Sequence, residues 1–208
     1  MKKRKATISG QALLATINTM SSLGDMGTKI LLDYGIKEID SKKRYSYTIR
    51  RDIHEMAFRR FGENALYAFG LNDYWAYSGH GQSSRERKEK VKGISDIRNA
   101  KQASIGLKEF ILQTCDNYDS GFKSGIKNGL GKYGVKVKEL GKDRYCLFIT
   151  NTSTLRHSAY VRGAFDIAWL STLSDCWDFS SSIDMDLSEE GEDWAKFAYI
   201  LNFQLLKE

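Results

Sequence analysis

The chain lacks several features that would identify its class directly. It contains no proline in 208 residues, although ordinary usage would give about ten. It also has no run of about 18 uncharged apolar residues, which a membrane-spanning helix requires. The basic residues at positions 2–5 lead into a short segment interrupted by polar side chains, which is not typical of a signal peptide. We therefore predict a cytoplasmic protein with no membrane span.

Cysteine and histidine are scarce, with three of each. Cys115, Cys146 and Cys176 are far apart, which indicates neither a disulfide framework nor a zinc knuckle. They are predicted to be buried free thiols, and no metal site is expected.

The three histidines, His54, His80 and His157, are also far apart. They form no zinc-protease motif, and the chain has neither a nucleophile-elbow motif nor a phosphate-binding glycine loop. Asp184 and Asp186 fall on one side of a predicted strand, but that side is the one expected to face solvent. We therefore predict no enzymatic activity and no catalytic residues.

Charge is unevenly distributed. Residues 1–140 hold 26 Lys and Arg against 15 Asp and Glu, whereas residues 141–208 hold 6 against 11. A pI near 9.1 permits weak attraction to nucleic acid. Because the basic residues are scattered, nucleic acid is kept only as an alternative partner, testable by neutralising the run 42–44.

The last seventy or so residues carry the clearest pattern. Residues 135–140 and Tyr145–Thr150 flank a turn and predict a hairpin. Ser158–Leu173 is amphipathic with a helical period. Residues 178–187 alternate with period two, and Lys196–Leu205 follows an acidic, glycine-containing turn. The prediction is an α+β fold, in which N-terminal helices precede a four-stranded antiparallel sheet of strand-strand-helix-strand-strand order packed with helices.

The same periodicities assign faces to individual side chains. In the helix Ser158–Leu173, Phe165 and Trp169 are predicted to face inward, and Arg162 and Asp166 outward. In the strand that follows, the apolar row that includes Met185 and Leu187 is expected to line the core.

The first part of the chain is predicted to be helical. Ser9 should cap a helix that breaks near Gly24 and ends at Gly35. Residues 45–49 are expected to be extended, after which Asp52 caps a helix that ends at Gly62, and a further helix covers residues 65–77. We divide the chain into a helical segment at 1–80, a linker at 81–94 and an α+β small-molecule-binding-like domain at 95–208.

A long helix is predicted from about Ser95 to Leu130. Gly121, Gly125 and Gly129 form one stripe along it, and each glycine weakens a helix interior by about 1 kcal/mol relative to alanine. Close approach of another backbone, or of a flat ligand, would offset that loss.

These features together carry a resemblance. The glycines after Asn117, the hairpin ending in residues 148–153, the helix containing residues 160–165 and the final glycine-turned hairpin resemble the vinyl-reductase-like small-molecule-binding domain. That family includes the sensory halves of aromatic-responsive bacterial regulators and is related in fold to haem nitric-oxide sensors and vesicle-tethering subunits. Residues 45–80 resemble the helical segment that precedes the domain in phenol-type sensors.

The chain departs from this family at the zinc site that some members have. Those members place two cysteines around the last hairpin, where this chain has Asp184 or Asp186 before the turn and Trp194 and Ala195 after it. Cys176 alone cannot complete a tetrahedral site, so neither zinc nor another cofactor is predicted.

The resemblance implies a non-enzymatic sensor or scaffold that binds a small hydrophobic or aromatic ligand and regulates a protein partner, as a homodimer. Two alternatives remain: a protein-interaction or nucleic-acid-binding module without ligand, and a haem or tetrapyrrole-binding protein with His54 or His157 as axial ligand. The predicted ligand-binding residues are Tyr74, Trp75, His80, Phe122, Gly125, Phe148, His157, Tyr160 and Trp169.

Overall fold

The computed structural model describes residues 7–20, 26–78, 106–116, 134–151, 153–174, 177–192 and 194–206. Within them no helix is long and apolar enough to cross a membrane. In chain order the elements are β1 (Thr7–Ser9), α1 (Gly10–Met20), α2 (Met26–Asp33), β2 (Arg44–Ser46), α3 (Tyr47–Ser78), α4 (106–116), β3 (Gly134–Gly141), β4 (Arg144–Asn151), α5 (Ser158–Leu173), β5 (Trp177–Gly191) and β6 (Trp194–Leu205).

The predicted fold class is confirmed. β3, β4, β6 and β5 lie side by side in that order, and each neighbouring pair is antiparallel. Because side chains alternate across a strand, Leu147 and Ile149 of β4 join the main core with the helices. Cys146 belongs to a small cluster with Ala198 and Ile200 on the opposite face of the sheet. The helix Ser158–Leu173 has the predicted bounds.

Both predicted helix ends in the first segment are confirmed. The hydroxyl of Ser9 accepts a hydrogen bond of 3.2 Å from the Ala12 amide and so caps α1. Gly35 follows α2 with φ 70°, and its amide donates to the Leu32 carbonyl at 2.8 Å. A residue with positive φ closes the helix there, and glycine adopts it without strain. The predicted break near Gly24 lies outside the described residues.

α3 begins six residues earlier than predicted. Residues 45–49 were expected to be extended up to a cap at Asp52, but β2 ends at Ser46 and helix starts at Tyr47. The reason is an earlier cap, since the Thr48 amide donates to the Ser46 hydroxyl at 3.4 Å. The predicted interruption at Gly62 is confirmed, because this residue has φ 76° and ψ −171° between two helical stretches.

The backbones of α3 and α5 touch where the helices cross. A Cβ on Gly70 would lie 2.8 Å from the Ala164 nitrogen and closer still to the Tyr160 carbonyl oxygen. A Cβ on Gly163 would lie 3.0 Å from the Leu71 nitrogen. Neither position has room for a larger residue, so these two glycines set the distance between the helices.

The main core is shared by both halves of the chain. It includes Leu13 and Ile53 from the first helices, Ile111 from α4, and Trp169 and Tyr199 from α5 and β6. The proposed linker at 81–94 lies outside the described residues, so the domain boundaries stay a prediction. Of the long helix predicted from 95 to 130, residues 106–116 are helical, and the glycine stripe lies outside the described part.

One part of β5 differs from the prediction. The pairing of β5 with β6 shifts register between Asp184 and Glu189, and a carboxylate oxygen of Asp184 accepts from the amides of Asp186 and Leu187 at 3.0 and 3.2 Å. The residues between Asp184 and Glu189 bulge out of the sheet, so Met185 and Leu187 are each 51% exposed. The prediction that they line the core is therefore wrong. A β-bulge interrupts the period-two pattern that it assumed.

Candidate functional site

A groove of about 480 Å³ lies where α3, α5 and the start of β5 meet. This volume is within the range of small-molecule sites, roughly 300–1,000 Å³. Tyr67 contributes from α3, while helix α5 supplies Arg162 and Asp166. Leu170, Trp177, Phe179 and Leu206 add apolar side chains, and Ser174, Asp178, Ser180 and Ser181 add polar ones.

The most unusual group in this wall is the carboxylate of Asp166, which is only 2% exposed. One of its oxygens accepts from the hydroxyls of Tyr67 at 2.7 Å and Ser181 at 2.8 Å. The other accepts from the hydroxyl of Tyr199 at 2.5 Å. Trp169 in turn donates to the Tyr199 oxygen at 2.9 Å. Three hydroxyl donors thus replace the water that the buried charge has lost.

The prediction that Asp166 lies on the outer, solvent-facing side of α5 is therefore wrong. Helical periodicity places it opposite Phe165, where a charged side chain is expected to reach solvent. Instead it is buried because donors from α3, β5 and β6 converge on it. Arg162 does reach the surface, at 41% exposure of its side chain, with its Nε 3.6 Å from an Asp166 oxygen. Its guanidinium lies over the Tyr67 ring, 4.6 Å from the centroid.

The two tyrosines keep their protons. Burial, and then the hydrogen bond and charge of Asp166, raise the pKa of Tyr67 to about 12. Burial also raises the pKa of Tyr199, with the same carboxylate as the next cause. Both hydroxyls therefore remain donors over the physiological range.

A second polar cluster ties α3 to the short 3₁₀ turn before α5. His157, which is fully buried, has its Nε2 3.3 Å from a Glu55 oxygen and its Nδ1 3.1 Å from the Ser153 hydroxyl. The other Glu55 oxygen accepts from Arg59 at 2.8 Å and from Arg156 at 3.2 Å.

The protonation states in this cluster follow from its charges. The hydrogen bond from Arg59 is the largest cause that lowers the pKa of Glu55, so its carboxylate is ionised and can only accept. Nε2 of His157 therefore donates to it. Burial lowers the pKa of His157, so the ring is neutral and Nδ1 accepts from Ser153. Both ring nitrogens are thereby used.

The predicted ligand residues do not gather at one place. Tyr160 is packed against the His54 ring, with centroids 4.0 Å apart, and Arg50 donates to its hydroxyl. Trp169 is fully buried in the main core. Phe148 packs against the small cluster on the far face of the sheet, because it alternates with the core-facing Leu147.

None of the predicted ligand residues that the structure describes lines the groove, and their role in binding stays a prediction. Those whose side chains or positions lie outside the described residues are Tyr74, Trp75, His80, Phe122 and Gly125. The groove residues themselves were missed for a simple reason. Tyr67 and Asp166 are 99 positions apart, and nothing in the local pattern links them.

Known structures share this fold. The chain matches a structure from work on modulating haem redox potential through porphyrin distortion, with a TM-score of 0.61 and 13% identity over 97% of this chain and 98% of that one. It also matches an oxygen-binding H-NOX domain related to soluble guanylate cyclases, with a TM-score of 0.58, 12% identity and 95% of both chains covered. No family model and no curated protein matches the chain.

The chain therefore has the fold of H-NOX domains, the haem nitric-oxide sensors to which the sequence resemblance is related. A further match is a structure from work on the mechanism of H-NOX activation, at a TM-score of 0.54 and 13% identity, over 97% of this chain and 100% of that one. At such low identity the likeness establishes the fold alone. The vinyl-reductase-like assignment stays a prediction.

In this structure His157 is not available as an axial ligand for a haem. An axial histidine needs a nitrogen lone pair that faces the iron, and His157 uses both nitrogens within the protein. The ring of His54 is 3% exposed and is packed against both Tyr160 and His157. No group of three or more His, Cys, Asp or Glu in the described part of the chain could hold a metal ion. The third histidine, His80, lies outside that part.

Proposed function

We propose that the protein is a non-enzymatic sensory domain that binds a small, largely apolar molecule and passes the binding event to a partner protein. The observation that carries this proposal is the likeness of fold to an oxygen-binding H-NOX domain, which extends over 95% of both chains. The groove supports it as well, because its volume suits a small molecule and it combines apolar side chains with a few polar groups.

The crossing of α3 and α5 offers a way to transmit binding. The groove is formed by both helices and by β5, while Gly70 and Gly163 hold the two helix backbones in contact. Close-packed contacts of this kind have no slack, so a shift of one helix displaces the other. A ligand seated in the groove would therefore change the position of α3 relative to the sheet, which a partner could detect.

The absence of enzymatic activity is part of the proposal. The carboxylate of Asp166 already accepts three hydroxyl hydrogen bonds, and both nitrogens of His157 are engaged. Neither group is poised to exchange a proton with a substrate. Asp166 is the most deeply buried ionisable side chain of the groove, and His157 is that of the turn before α5. Both hold neighbouring elements together through their hydrogen bonds.

Ligand-screened thermal melting tests this proposal. A ligand present at 100 times its Kd stabilises the folded state by about 2.7 kcal/mol, which raises Tm by about 5–11 °C in a chain of this length. We expect at least one class of small apolar or aromatic compounds to give such a shift. If no compound of a broad library raises Tm, and native mass spectrometry shows no bound species, the proposal is contradicted.

Haem is a second candidate ligand, favoured by the likeness of fold to a structure from work on haem redox potential and to an oxygen-binding H-NOX domain. The engaged nitrogens of His157 oppose it. An absorbance scan of the purified protein, before and after addition of hemin, decides between the two. A saturable Soret band that His54→Ala, His157→Ala or His80→Ala abolishes would establish haem binding, whereas free-hemin spectra at all ratios would eliminate this candidate.

The homodimer and the regulatory partner are also proposals. Sedimentation velocity with and without a ligand found by melting would show whether binding changes the assembly. Nucleic acid is the weaker alternative, because Arg44 in the basic run 42–44 donates to the carbonyl oxygen of Thr7 at 2.9 Å. Charge reversal of Lys42 and Lys43 alone therefore tests nucleic-acid binding without disturbing the pairing of β1 with β2.

A further inference from the structure

We propose that the groove accepts a neutral, flat, mostly apolar molecule that carries a hydrogen-bond acceptor, and that Trp177 and Arg162 donate to that acceptor. This inference rests on the proposed function, since it names the site and the ligand class for the same binding activity.

Two buried N–H groups that make no hydrogen bond carry the inference. Trp177 is 2% exposed, and its indole N–H has no hydrogen-bond partner among the described residues. The Nε–H of Arg162 is likewise buried without a hydrogen bond within that part of the chain, and the nearby Asp166 oxygen at 3.6 Å is beyond hydrogen-bond length. Buried donors are nearly always paired in folded proteins. Both residues line the groove, and a small rotation that brings either N–H to the groove surface would let an occupant supply the missing acceptor.

The charges around the groove decide against an anion. Asp166 and Asp178 both line it, against the single guanidinium of Arg162, so a carboxylate or phosphate would meet net repulsion. Asp166 does not favour a cation either, because its oxygens are already taken by three hydroxyls. A neutral acceptor, such as a carbonyl oxygen or an aromatic ring nitrogen, meets both unpaired donors without either penalty.

The apolar part of the wall sets the shape of the ligand. Leu170 and Leu206 line the groove and are 42% and 46% exposed, so their side chains gain from being covered. Phe179, which is half-buried, adds aromatic surface, on which a planar ring stacks well. The occupant is therefore expected to be flat and to have its acceptor at one edge.

Three ring compounds of similar shape form the test. Quinoline carries a ring nitrogen acceptor, naphthalene has none, and 2-naphthoate is an anion. At neutral pH we expect quinoline to bind at least tenfold more tightly than either of the others, and to move the indole N–H resonance of Trp177 in the NMR spectrum. Trp177→Phe keeps an aromatic ring but removes the donor, so it should reduce the preference for quinoline over naphthalene to less than threefold.

Two further variants complete the design. Trp194→Phe is the matched control, because Trp194 does not line the groove, and it should leave the preference unchanged. Arg162→Gln alters a half-exposed side chain and should weaken quinoline binding even if Trp177→Phe folds poorly. Equal affinities for quinoline and naphthalene, or a preference that survives both groove variants, would overturn this inference while leaving the proposed function standing. Failure of every small molecule to bind the wild-type chain would overturn both.

Discussion

Gly163→Ala tests the contact between α3 and α5, on which the transmission of binding depends. The new methyl group would meet backbone atoms of α3, with the Leu71 nitrogen 3.0 Å and the Tyr67 carbonyl carbon 3.1 Å from the added Cβ. Backbone cannot rotate away as a flexible side chain does, so we expect a cost at the upper end of the overpacking range, about 3 kcal/mol. The better helix propensity of alanine returns about 1 kcal/mol.

The net expectation is a loss of about 2 kcal/mol in the free energy of unfolding, or about 4–8 °C in Tm. Urea denaturation measures it, and Gly141→Ala is the control, because a Cβ there meets nothing within 4 Å. The control should stay within about 0.5 kcal/mol of wild type. The double variant with Gly70→Ala should lose less than the sum of the single losses, since the first methyl group already separates the helices. Unchanged or increased stability of Gly163→Ala would refute the close contact.

Three further predictions concern stability. Asp166→Asn replaces an acceptor of three hydroxyls with an amide that has one fewer accepting oxygen, so urea denaturation should show a loss of about 1–3 kcal/mol, and wild-type stability would contradict the hydroxyl network. The pKa of His157 is lowered from 6.5 by burial, so the unfolded chain binds the proton more readily. Stability should therefore fall as the pH drops below 6.5, by up to about 1.4 kcal/mol per pH unit for this group, and His157→Gln should reduce that slope. Gly62→Ala places a side chain at φ 76° and should destabilise the chain by more than about 0.5 kcal/mol, whereas a gain in Tm would contradict the kink.

The parts of the fold that depend on local pattern could be predicted from the sequence. The cap at Ser9, the helix end at Gly35 and the helix Ser158–Leu173 follow from turn chemistry and from a 3.6-residue period. The order of strands and helix near the C-terminus follows in the same way. The β5 bulge escaped prediction because it depends on how Asp184 bonds to the two amides that follow it, which period-two counting does not register.

The candidate site could not be predicted, because its parts meet only in the folded chain. A helical wheel assigns Asp166 to solvent, since nothing near it in sequence shows that hydroxyls from α3, β5 and β6 will surround it. Gly70 and Gly163 each look like an isolated glycine in a helix. Their role in letting the two backbones touch is visible only in the folded chain, where the helices cross.

Native mass spectrometry of the full chain tests the central claim, that this fold serves here to bind a small molecule. The account predicts a stoichiometric adduct, either retained from the cells of expression or formed with a compound that raises Tm, and it predicts that groove variants lose this adduct. A bare polypeptide mass under every condition would contradict it.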